Sequence, residues 1–167
     1  MNYLSVAGKH HDYNSENNQD AILFKRNAKY CVMVLADGVS SCDQAKTGAE
    51  ITCKAVAEFL LQHAERLFNM NERETAGSLI SHILYSLKQI AVRKGKSIEE
   101  YSSTLACVLF DRNKNRMLYF SIGDSLITAT KGDSCYIVAM PSDSRNGCSV
   151  TTTCNAASLA KVATLRD

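Results

Sequence analysis

The sequence predicts an α+β layered domain, and three observations carry that prediction. Strand-like segments come first, two amphipathic segments follow, and strand-like segments return after Ser97. That order suits helices and sheets segregated into layers, not the βαβ alternation of a parallel sheet. The two amphipathic segments repeat their apolar residues at three- and four-residue steps, which paints one stripe along a helix. Tyr30–Ala36 is a continuous apolar run rich in strand formers, the pattern of a central strand covered on both faces.

Taken in order, Tyr3–Ala7 reads as a short strand, and His10–Gln19 as a polar stretch without periodicity. Asp20–Arg26 and Tyr30–Ala36 read as two strands, and the residues between them turn the chain into an antiparallel hairpin. From Asp43 to Phe68, Ala49, Cys53, Val56, Leu60, Ala64 and Leu67 mark the first helix. Leu79, Ile83, Leu87 and Ala91 mark the second, ending near Gly95, with Asn69–Thr75 as the connection. Ser103–Phe110, Arg116–Ile122, Leu126–Thr130 and Ser134–Ala139 are short strands separated by turn-forming segments, Gly123-Asp124-Ser125 among them. Pro141 opens an irregular polar segment to Cys148, and no element is assigned to the last twenty residues.

The 167 residues suit one domain, with 46% apolar and 22% charged residues as in an ordinary globular chain. The net charge of +2 is mixed along the chain without a basic block, so no electrostatic case arises for nucleic acid or an anionic membrane. Met1–Gly8 lacks the pattern of a signal peptide, and no apolar run is long enough to cross a bilayer, so a cytoplasmic location is expected. Seven cysteines without a Cys-x-x-Cys pair read as small buried or half-buried thiols, Cys31 and Cys107 in the core, and not as a zinc site or disulfide framework. His63 and His82 read as surface or packing residues on the helices.

Three aspartates stand where the chain changes direction: Asp20 at the start of a strand, Asp37 at the end of a buried one, and Asp124 in a turn. Carboxylates are hard oxygen ligands of the kind Mg²⁺ or Mn²⁺ takes, together with water and backbone carbonyls. The run before Asp37 would hold its carboxylate at a sheet edge, and Gly38 would let its carbonyl approach an ion closely. The plain alternatives stay open: Asp37-Gly38 as an ordinary turn, Asp20 as a strand cap, and Asp124 as turn chemistry.

The residues resemble a known family at five landmarks in order: Gly8, His11 and Gln19-Asp20-Ala21; Asp37-Gly38 with Ser40-Ser41; Gly48-Ala49; Ser103-Thr104-Leu105; and Ile122-Gly123-Asp124-Ser125. Over about the first 130 residues the chain is similar to the type 2C metal-dependent serine/threonine protein phosphatases, and to their compact bacterial branch in particular. The resemblance implies an α-β-β-α sandwich of two antiparallel sheets flanked by helix pairs, with a binuclear Mn²⁺ or Mg²⁺ site at one end. It places Asp37 as the bridging metal ligand, the Gly38 carbonyl and Asp20 in the second ion's shell, and Asp124 near an additional ion. Many relatives carry an arginine that grips the phosphate. The local cations here are Lys9, His10 and His11, and His11 would either contact phosphate or serve as a hydrogen-bonded structural residue.

The implied activity is hydrolysis of phosphoserine and phosphothreonine in protein substrates, in signalling that opposes a cognate kinase. The chain departs from the family after Asp124, where a second Asp-Gly and a late Asp-Asn have no match; Asn146–Thr153 corresponds to a stretch that precedes them. The expectation is one phosphatase-like domain over residues 1–167, covering the N-terminal two-thirds of the family domain, with weakened metal binding. Exposed sheet edges would favour dimers. The rival expectation is a catalytically impaired phosphatase-fold domain that binds or regulates.

Overall fold

The computed structural model describes residues 18–140, 152–154 and 161–166. The element order is β1 (Asp20–Arg26), β2 (Tyr30–Asp37), α1 (Ala45–Leu67), α2 (Glu72–Lys94), a 3₁₀ turn (Ile98–Tyr101), β3 (Leu105–Asp111), β4 (Arg116–Ile122), β5 (Ile127–Lys131), β6 (Ser134–Ala139) and β7 (Lys161–Arg166). The α+β architecture expected from the sequence is present, with two antiparallel sheets and a helix pair. The expected strand at Tyr3–Ala7, together with Gly8 and His11, lies outside the described residues.

The larger sheet has five strands in the order β1-β2-β3-β4-β7, all paired antiparallel. The Asn27 side chain turns the first hairpin by accepting from the backbone N–H groups of Lys29 (2.9 Å) and Tyr30 (2.7 Å). An asparagine in this role satisfies the turn's backbone donors locally. Along β2, Tyr30, Val32, Val34 and Ala36 are buried, while Met33, Leu35 and Asp37 are exposed. The strand therefore alternates with period two, one face toward the helices. Cys31, expected in the core, belongs to the other face and is half-buried, whereas Cys107 is core. A continuous apolar run does not report which face is covered, because every position is apolar.

Helix α1 lies on the inner face and carries the central cluster, with Val56, Ala57 and Leu60 fully buried against the sheet and α2. Leu60, Leu79, Ile83 and Leu87 each contribute about 2 kcal/mol by leaving water. Helix α2 begins earlier than its apolar stripe suggests, at Glu72. Asn71 caps it by accepting from Glu74 N–H at 2.9 Å, and its first turn is polar and exposed, so periodicity cannot reveal it. Gly95 ends it at φ +63°, a left-handed position that glycine adopts without strain.

Two elements lie outside those expected from the sequence, a 3₁₀ turn that opens on a Ser97–Glu100 capping box and strand β7. The 3₁₀ turn packs so closely on α1 that a Cβ on Gly48 would stand 2.1 Å from the Tyr101 carbonyl oxygen. Strand β7 completes the sheet beside β4 with Lys161↔Ser121 through Arg166↔Arg116. The smaller sheet is the β5–β6 hairpin, whose outward side chains include Tyr136 and Ile137. No described helix is long and apolar enough to cross a membrane.

Candidate functional site

Antiparallel pairing gathers four strand ends at one end of the large sheet: the start of β1, the end of β2, the start of β3 and the end of β4. The register makes Asp20 and Asp37 direct cross-strand partners. Both lie at the hairpin's open end, away from its turn. Asp20 is set by the Asn18 side chain, which accepts from Asp20 N–H at 3.0 Å. One residue beyond the strand, Gly38 N–H donates to the Gln19 carbonyl at 3.2 Å, so the pairing extends past both aspartates.

The backbone of Asp37 is clamped from the other side by Thr104. Thr104 N–H donates to the Asp37 carbonyl at 2.8 Å, and Asp37 N–H donates to Thr104 Oγ1 at 3.2 Å. Val39 N–H donates to the Ser102 carbonyl at 3.0 Å, closing an isolated bridge between Gly38 and Ser103. These bridge bonds run through residues 37 and 39, so the Gly38 carbonyl takes no part in them. Gly38 itself is buried against the start of α1, where a Cβ would meet the Ala45 backbone at 2.7 Å. Only glycine lets the helix start this close to the strand's end.

A further layer supports the clamp. Ser103 is fully buried; its Oγ donates to Thr52 Oγ1 on α1 at 3.4 Å, and its N–H donates to Thr153 Oγ1 at 3.3 Å. Thr153 N–H returns to the Ser103 carbonyl at 2.8 Å. The paired hydroxyls of Ser103-Thr104 are legible in the sequence as a landmark, but their partner Thr153, some fifty positions on, is not. Asn18 is equally hard to recognise along the chain, since an Asn two residues before a strand is its only signal.

The electrostatics of this end are dominated by like charge. The Asp37 carboxyl is raised to about 6: partial desolvation is the main cause, followed by the Asp20 charge, a hydrogen bond shared with Asp20, and the Asp124 charge. Asp37 keeps contact with solvent, so its desolvation is partial. Asp124 is exposed and follows Gly123, whose φ of +96° requires glycine to turn the chain out of β4. The structure thus brings Asp20, Asp37 and Gly38 together, with Asp124 close enough for its charge to act on Asp37. Among the described residues, no three His, Cys, Asp or Glu side chains are close enough to form a metal cage by themselves. The donor set fits a hard, partly hydrated divalent cation, which takes a few carboxylates and completes its shell with water and carbonyl oxygen.

His63, His82, Cys53 and Cys107 have packing roles. His63 and His82 both lie against the Phe59 ring, with centroids 4.7 and 4.8 Å away. Burial pushes the Cys53 thiol up to about 12 and that of Cys107 still higher, as expected of inert core cysteines.

A family model described as protein phosphatase 2C matches residues 7–166, well past the last sequence landmark at Ser125. Among solved structures, a bacterial serine phosphatase superposes with a TM-score of 0.63 at 14% identity, over 95% of this chain and 70% of its own. A serine/threonine phosphatase from Staphylococcus aureus gives 0.58 at 17% identity, over 81% of this chain and 51% of its own. RsbX, solved in complex with magnesium, gives 0.56 at 15% identity, over 89% and 60%. The chain spans about half the length of the Staphylococcus aureus enzyme. No curated protein sequence matches it.

Proposed function

The chain belongs to the protein phosphatase 2C family, and from that premise we propose that it hydrolyses phosphoserine and phosphothreonine in protein substrates with the help of Mn²⁺ or Mg²⁺. The observation that supports this reading is the cross-strand pairing of Asp20 with Asp37 at the sheet end where Gly38 abuts α1. Asp37 would hold the ions with Asp20 and the Gly38 carbonyl, and Asp124 would lie at the margin of the same site. Bound divalent ions would supply Lewis acidity, lowering the pKa of an attacking water and neutralising phosphoryl oxygens. The protein's own work is positional. Thr104 fixes the Asp37 backbone through two hydrogen bonds, and the Ser103–Thr153–Thr52 layer holds Thr104's segment against α1. Preorganised carboxylates need no rearrangement when substrate arrives. No serine or cysteine nucleophile is required. His11 is the residue we assign to a phosphate oxygen, and a cognate kinase would supply the phosphorylated partners.

The test is Mn²⁺-dependent hydrolysis of an aryl phosphate by the wild type and by Asp37→Asn. A metal-dependent rate that falls by two or more orders of magnitude in Asp37→Asn is expected. The lack of a three-carboxylate cage among the described residues favours a second reading, a phosphatase-fold domain that binds without turnover. Thermal stabilisation by Mn²⁺ without hydrolysis would select that reading over the first.

A further inference from the structure

Two cysteines from distant parts of the sequence meet on one short turn. Cys42 follows the Asp37-Gly38 bridge, in the loop that leads into α1; Cys154 follows the Thr153 clamp. The Cys42 thiol donates to the Glu99 carbonyl at 3.3 Å, and the Cys154 thiol to the Ile98 carbonyl at 3.4 Å. These carbonyls are consecutive in the 3₁₀ turn Ile98–Tyr101, so both sulfurs are directed at the same small patch. Both are free thiols and both are half-buried, unlike the fully buried Cys53 and Cys107.

The two segments are otherwise held to this patch by main-chain bonds. Gln44 N–H donates to the Glu100 carbonyl at 3.2 Å and Thr153 N–H to the Ser103 carbonyl at 2.8 Å, so neither thiol's approach depends on an unanchored tail. Their charges also interact: Cys154 is raised mainly by burial, with Glu99 and Cys42 adding to the effect.

We propose that Cys42 and Cys154 form a reversible dithiol–disulfide site, oxidised by a peroxide. Cys42, on the loop, attacks the peroxide O–O bond, becomes a sulfenic acid and releases one water from hydrogen peroxide. Cys154 then attacks the sulfenic sulfur, the S–S bond forms, and the second water leaves with the hydroxyl. Two thiols lose two protons and two electrons, and the peroxide is reduced to two waters. The raised Cys154 thiol suits the second, resolving step, since it is the less ready to attack first. A bridge here would tie the segment carrying Thr153 covalently to the loop leaving Asp37-Gly38. It would enclose most of the chain, so it would restrict the unfolded ensemble strongly.

Trypsin leaves residues 30–46 and 146–161 as single peptides, each with a second cysteine, Cys31 or Cys148. The experiment therefore uses the full chain carrying Cys31→Ser and Cys148→Ser, treated with dilute hydrogen peroxide and digested without reductant. The expected result is a joined 30–46/146–161 pair from a monomeric band, lost on reduction and absent when Cys42→Ser or Cys154→Ser is added. The oxidised monomer should melt higher by roughly 10 °C, a shift that dithiothreitol reverses. A joined pair found only between two chains, a bridge to Cys135 instead, or over-oxidised cysteines without any joined peptide would overturn the proposal. So would a joined pair whose formation leaves Tm unchanged.

Discussion

The two ends of β2 handle charge in opposite ways. At the hairpin end, the described carboxylates Glu65 and Asp111 are both matched. Glu65 on α1 receives Lys29 Nζ at 2.6 Å, the Tyr30 hydroxyl at 2.6 Å and Lys114 Nζ at 3.1 Å, and its carboxyl falls to about 2, the Lys29 bond being the main cause. Asp111 is fully buried beside them, and burial alone would push its carboxyl up. The backbone N–H groups of Lys114 and Asn113 and the Arg116 guanidinium outweigh that, so it titrates below the usual range. Arg116 lies over the Phe68 ring at 4.2 Å and 3.3 Å from Asp111. At the other end, seven residues along the same strand, Asp37 faces Asp20 and rises to about 6. One end of the strand is neutralised by its own protein, and the other holds negative charge that a bound cation would neutralise. The comparison shows that a carboxylate's environment, not its residue type, decides whether its charge is matched within the fold or left facing another like charge.

The largest effect is expected at the matched end. Asp111→Ala leaves the Arg116 guanidinium buried without its carboxylate and should cost about 3–5 kcal/mol, read from urea midpoints. The same residue gives a pH signature. A carboxyl with a native pKa below its unfolded value contributes stability that is complete above the unfolded value, about 4, and is lost as pH falls through the native one. The stability gap between wild type and Asp111→Ala should therefore be widest near neutral pH and shrink below about pH 4. Glu65 is solvent-exposed and its partners are long side chains, so its low pKa does not translate into a comparable contribution.

At the unmatched end, Gly38→Ala should cost about 2 kcal/mol, because its Cβ would displace the Ala45 backbone at the start of α1. Circular dichroism melts would check this; an unchanged Tm would show that the helix start yields freely. The smallest effect has the opposite sign. In metal-free buffer at neutral pH, Asp37→Asn removes a like charge opposite Asp20 and should stabilise the fold by about 0.5 kcal/mol. A loss of stability there would mean that Asp37 is held by favourable contacts, as at the other end, and the contrast between the two ends would fail.

Much of this organisation is legible along the chain. The limits of β1 and β4, the stripe of α1 and the stop at Gly95 follow from apolar periodicity and glycine geometry, which are local properties. Asp20, Asp37 and Asp124 can be picked out because each marks a change of direction beside a strand. The start of α2 is hidden because its first turn is polar, and Asn71 is recognisable as a cap only once the helix is known. β7 escapes because a weakly alternating segment becomes a strand here by pairing with β4.

The sequence by itself determined the types of the two helices and of strands β1 to β6, the family landmarks and the three aspartates beside strand ends. Only the tertiary structure decided that Asp20 opposes Asp37, that Thr104 and Thr153 form successive supports behind it, and that Cys42 meets Cys154 on one turn. The physical reason is range. Helix and strand signals arise from neighbours a few residues apart, whereas strand register and the docking of distant loops are set by long-range packing. Chemistry at the candidate site depends on the second kind of information.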